Sequence, residues 1–129
     1  MQRADVTSLF MALVPIGTVE AVRQEYQIFR TAGGDYLVFS PSNRGSLSFH
    51  MAHVPAFKVQ ALAKVVGREK VTSGSLLKDD RLGDAFSSDD KVAMRFDLLM
   101  GLYVLVAQGS VEMEKAGRNL VFRRRKAES

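Results

Sequence analysis

The chain has no cysteine, which excludes a disulfide framework, a thiolate metal site and a cysteine nucleophile. Histidine is nearly as scarce: His50 and His53 are the only two. On a strand their three-residue step puts them on opposite faces, and no carboxylate lies within several residues, so no metal site is expected. No apolar run approaches the roughly 20 residues of a membrane-spanning helix. The greasiest stretch, Leu98 to Ala107, reads LLMGLYVLVA and suits a buried core helix. The run from Leu9 to Ile16 follows Asp5 and lacks a small-residue cleavage site, so no secretory signal is expected.

Catalytic signatures are missing as well. Gly33-Gly34 and Ser73-Gly74-Ser75 lack the lysine and the spacing of a phosphate-binding loop. No serine sits in a nucleophile-elbow pattern. Asp79-Asp80 and Asp89-Asp90 fall at predicted helix ends, where capping and the helix dipole account for them. The sequence predicts neither catalysis nor a cofactor.

What is present is an ordinary apolar content with an uneven charge. Of 129 residues, 47% are hydrophobic and 25% charged, and the net charge is +4. Residues 1–54 balance four basic against four acidic side chains, whereas residues 55–129 hold fourteen basic and ten acidic. Lys115 to Lys126 contains six basic residues and no acid. Such a run serves either as a plain solvated face or as a contact for phosphates, whose neutralisation releases counterions.

Along the chain, ADVTSLFMALVPI (4–16) reads as a short helix with Leu9, Phe10 and Leu13 inward, ended by Pro15. TVEAVRQEYQIFRT (18–31) is ambiguous. Val19, Val22, Tyr26 and Phe29 make a helical stripe and Thr18 a cap, although EYQIFRT alone suits a strand; helix is the expectation. DYLVFS (35–40) and SLSFHMA (46–52) flank a Pro41-to-Gly45 turn and predict an antiparallel hairpin. Arg44 at its tip and the aromatic residues Tyr36, Phe39 and Phe49 are secondary candidate contacts.

Helices are predicted over roughly 56–67, 73–81 and 88–108. Phe57, Ala61, Leu62, Val65 and Val66 face inward in the first, and Thr72 or Ser73 caps the second. In the third, Ser87 or Ser88 is the cap, Val92, Phe96, Leu99, Tyr103 and Val106 form the stripe, and Gly109 is the stop. Val111, Met113, Leu120 and Phe122 then alternate about a Gly117 turn, predicting a hairpin over 111–124.

Three helices followed by a hairpin resemble a winged-helix domain, and KVTSGSLL and the LLMGLYVLVAQGSVEMEKAGRNLVFRRR stretch have that texture. The resemblance covers residues 55–125. With the elements read above, the expected fold is α+β: an N-terminal helical segment and β-hairpin (1–54), then, as the resemblance implies, a three-helix winged-helix-like unit ending in a β-hairpin wing (55–129). The resemblance also implies a regulator-like protein that binds double-stranded DNA; the missing catalytic signatures and the lack of cysteine make a non-enzymatic, cytoplasmic protein the expectation. In such docking the third helix enters the major groove. Lys91 and Arg95, four residues apart, would read it, and Lys115, Arg118, Arg123, Arg124, Arg125 and Lys126 would meet phosphates. The five neighbouring aspartates Asp79, Asp80, Asp84, Asp89 and Asp90 oppose that docking. The alternative is a protein-interaction or structural adaptor of the same shape, compatible with a homodimer and with no membrane contact.

Overall fold

The structure is a computed structural model; it describes residues 13–21, 25–41, 49–86, 90–117 and 119–125. The first half is a four-stranded antiparallel sheet, β1 (Val14–Glu20), β2 (Glu25–Arg30), β3 (Tyr36–Pro41) and β4 (Phe49–Val54), in sequential order. Helices α1 (Ala56–Val65), α2 (Ser73–Leu76) and α3 (Lys91–Ala107) come next, with a 3-10 turn at Asp80–Leu82. Strands β5 (Val111–Ala116) and β6 (Asn119–Arg124) close the chain as a separate hairpin.

The expected helical N-terminus is therefore wrong where the structure describes it. Residues 14–16 belong to β1, and the predicted 18–31 helix is instead the end of β1 and all of β2. Residues 4–12 of the other predicted helix lie outside the described residues. The helical stripe is a coincidence of spacing. Val19 and Tyr26 are seven apart, one helical face, but they are also direct cross-strand partners. Pairing of Ile28 with Val38 buries the inner side of β2, and Phe29 pairs with Leu37 on its other side; such tertiary context overrides helix propensity. The 35–52 hairpin forms as expected, with Tyr36 opposite Val54 and Phe39 opposite Met51; the turn bearing Arg44 lies outside the described residues.

The register splits the sheet into two faces. The inner face carries Val19, Ile28, Val38 and Val54, and these join Leu62, Leu98, Leu102 to Leu105, Val111 and Phe122 in one core. The sheet, the helices and the hairpin thus share a single interior, across the 54/55 division predicted from sequence. The outer face carries Pro15, Phe29, Leu37, Phe39, Met51 and His53.

Two helices bury only part of the faces expected of them: Leu62, Val66 and Tyr103 are buried as read, and Ala61, Val65, Leu99 and Val106 pack against the core. In α1 the buried residues are Val59 and Leu62, while Phe57 is 56% exposed. In α3 burial runs from Leu98 through Leu105, while Val92 and Phe96, two members of the predicted stripe, are 79% and 50% exposed. A segment apolar all round does not say which side packs; Gly101 does, because its missing side chain lets Leu62 of α1 approach.

Asp90, not a serine, caps α3: its Oδ1 accepts from the amides of Val92 (2.9 Å) and Ala93 (3.3 Å). Ser87 and Ser88 lie outside the described residues. At the far end Gly109 has φ of 81°, the left-handed conformation that ends a helix. The expected Thr72 cap of α2 is present, with reciprocal bonds to Ser75 of 3.0 and 2.9 Å.

Candidate nucleic-acid interface

The first two turns of α3 stand clear of the core. Lys91, Val92, Ala93, Arg95 and Phe96 are all exposed. The helix emerges in this way because only its second half, from Leu98 on, is apolar enough to pack on the sheet and α1. Arg95 Nε donates to Ser73 Oγ of α2 at 3.3 Å, which fixes its side chain across the α2–α3 junction. Lys91 forms no ion pair among the described residues.

Two of the five aspartates that argued against anion binding, Asp79 and Asp90, are engaged, and so is Asp97 beside Arg95. The Asp90 carboxylate caps the helix. Asp97 pairs with Lys58 at 3.3 Å. Asp79 receives two bonds from the Arg81 guanidinium, at 3.0 and 2.7 Å, and these hold its carboxyl below the usual carboxylate range. Asp80 and Asp84 remain exposed, and Asp89 lies outside the described residues.

The hairpin's inner face buries Val111 and Phe122. Its outer face is not the bare basic surface that the sequence suggests. Glu112 lies opposite Arg123 and pairs with it at 3.1 Å. Glu114 pairs with Lys70 at 3.0 Å, which holds its carboxyl low. Arg124 is turned inward on the protein, its guanidinium donating to the Ala63 carbonyl at 3.0 Å near the end of α1, where the helix dipole favours a cation. Arg125 and Lys115 are exposed, and neither takes part in an ion pair among the described residues. Arg118 and Lys126 lie outside the described residues.

An isolated bridge to the hairpin shows where these groups fall. Val71 and Phe122 exchange two backbone bonds of 2.8 Å in an antiparallel bridge. Ser73 therefore lies towards the hairpin's turn, and Gly67, whose carbonyl accepts from the Arg124 amide at 2.7 Å, towards its base. Because Ser73 also holds Arg95, the second turn of α3 and the turn end of the hairpin share one end. The six predicted contacts that are described are thus divided: Lys91, Arg95 and Lys115 at that end, Arg123, Arg124 and Arg125 at the other. Lys64 and Arg68, both exposed, join Arg124 at the base. Sequence reading missed them because only the pairing of β6 with the 67–71 segment unites residues sixty positions apart.

His53 Nε2 lies 3.3 Å from Asp35 Oδ2. Among the described residues no group of three or more metal-ligating side chains gathers. No described helix is long and apolar enough to cross a membrane. No family model, curated protein or solved structure matches this chain. The likeness to winged helices therefore rests on the order of elements alone.

Proposed function

We propose that this is a small non-enzymatic nucleic-acid-binding protein, with cytoplasmic double-stranded DNA as its ligand, contacted by Lys91 and Arg95 on α3 and Lys115 at the hairpin's turn end. The observation that carries this reading is the exposed amino-terminal half of α3. It offers two basic side chains at one-turn spacing, while the carboxylates of Asp79, Asp90 and Asp97 are occupied. Two groups on one turn can follow a groove, and bidentate arginine discriminates guanine. Arg123 contributes less than its sequence suggests, because the Glu112 carboxylate neutralises it, whereas Arg95 and Arg124 each give one bond to a neutral oxygen and keep their charge.

The test is binding to a mixed-sequence labelled duplex across a salt series. Removing one side chain that neutralises a phosphate flattens the slope of log K against log salt by about 0.9. The Lys91→Ala/Arg95→Ala variant is expected to flatten it by roughly twice that amount. An Arg123→Ala/Arg124→Ala/Arg125→Ala variant should change it less than the three arginines would if all met phosphates. Absence of binding at low salt, or a slope set by the triple variant alone, defeats the proposal.

A second reading is supported by Val92 and Phe96, which are exposed and also one turn apart. They suit an adaptor that receives a partner protein, or a second copy, on the same helix. On that reading Phe96→Ala abolishes partner binding or dimerisation, whereas Lys91→Ala/Arg95→Ala leaves it intact.

A further inference from the structure

The basic residues at the two ends of the hairpin are joined by one stretch of chain. Residues 67–73 run beside β6, held at Gly67 by the Arg124 amide and at Val71 by the bridge to Phe122. At the base this stretch starts against Lys64, in the last turn of α1, and Arg124, whose guanidinium bonds the Ala63 carbonyl. At the far end Ser73 holds Arg95. Arg68 and Lys70 lie between. Lys64, Arg68, Lys70, Arg95 and Arg124 are all exposed, so five cations follow one path over the surface.

The carboxylates near this path leave it positive. Glu114 takes up Lys70 at 3.0 Å, Glu112 is held by Arg123, and Asp97 by Lys58. Glu69, exposed within the stretch, opposes an anion. Against it stand Lys64, Arg68, Arg95 and Arg124, none of which joins an ion pair among the described residues. The dipole of α1 accounts for cations at its carboxyl end, where Lys64 and Arg124 sit. It does not account for Arg68, which lies beyond the Val66 cap, or for Arg95 at the other end.

The cations are strung along a line and do not converge on a point, which suits a continuous polyanion better than a single phosphate group. The six residue steps from Gly67 to Ser73 cover at most about 22 Å. Over that length one strand of a duplex presents roughly six phosphates.

We propose that a DNA backbone lies along residues 64–73, with phosphates met by Lys64, Arg68 and Arg124 at the hairpin's base. The inference rests on the nucleic-acid reading for its ligand, but not on Lys91 or Arg95 as contacts.

The test uses the Lys64→Ala/Arg68→Ala variant, which alters two exposed side chains outside any ion pair and should melt at the wild-type temperature. On a labelled duplex across a salt series it is expected to flatten the slope of log K against log salt by about 1.8, as for two lost phosphate contacts. In the wild-type protein, adding an unlabelled duplex should shift the NMR signals of the Gly67, Arg68 and Arg124 amides. An unchanged slope in the variant, or unmoved amides at Gly67 and Arg68, overturns the proposal. If Lys91→Ala/Arg95→Ala flattens the slope in the same series, the α3 reading survives that loss. A slope that responds to Lys64 and Arg68 but not to Lys91 and Arg95 upholds the path and defeats the α3 contact. Wild-type protein that binds no duplex at low salt overturns both.

Discussion

Tyr103→Ala is expected to destabilise the fold by about 3–5 kcal/mol, the range for removing a buried aromatic side chain, a large share of a typical domain's whole stability. Tyr103 is 1% exposed and stands where the three parts of the molecule meet. Its ring lies 4.6 Å from that of Tyr26 on the sheet and 6.4 Å from that of Phe122 on the hairpin. Alanine there would leave a cavity bordered by both β units, so they should loosen together in a urea melt. Tyr103→Phe, which keeps the ring and removes only the hydroxyl, should cost about 1 kcal/mol. Equal effects of the two variants would mean that the hydroxyl, and not the ring, is the anchor.

The same residue predicts an alkaline limit. Burial, reinforced by Tyr26, pushes the Tyr103 phenol well above its ordinary range. A raised folded-state value means that the native state holds the proton more tightly than the unfolded chain. The associated stability is complete below the unfolded phenol value, about 10, and is lost as pH rises above it towards the folded value. In an absorbance titration Tyr103 should ionise only together with unfolding. Ionisation of all three tyrosines in a native spectrum would refute this.

Gly101→Val is the second large effect. Glycine inside a helix costs about 1 kcal/mol relative to alanine, so propensity alone predicts that filling position 101 stabilises α3. The packing predicts the reverse. A Cβ at residue 101 would lie 2.5 Å from Leu62 Cδ1 and 3.9 Å from Phe86 Cζ. Leu62 is fully buried, so its methyl has no solvent to swing into. Overpacking of this kind costs roughly 1–3 kcal/mol, and valine's second methyl puts Gly101→Val at or above the top of that range. A double-mutant cycle with Leu62→Ala should show the two changes partly cancelling. A more stable Gly101→Ala would show that the α1–α3 contact yields easily.

The second half of the chain was legible because its signals are local. A Thr72 cap, a glycine stop at residue 109 and alternation about Gly117 each act within a few residues, and each appears in the structure. The hairpin of β3 and β4 was legible for the same reason, its turn formers lying between two apolar runs. Failure came where one spacing fits two periodicities. Val19 and Tyr26 satisfy a helix by their separation and a sheet by antiparallel pairing, and only burial against α3 chooses between them.

The candidate site divides along the same line. Sequence by itself determined which residues carry charge and that Lys91 and Arg95 share a face, since helical geometry follows from spacing. It also determined that no thiol chemistry is possible. Only the tertiary structure decided which charges are free. Glu112 answers Arg123, the carbonyl of Ala63 answers Arg124, and Lys70 answers Glu114. Of these partners, Ala63 and Lys70 lie about forty to sixty positions away, reached through the Val71–Phe122 bridge. The physical reason is that charge is written residue by residue, whereas neutralisation depends on distances that only folding sets.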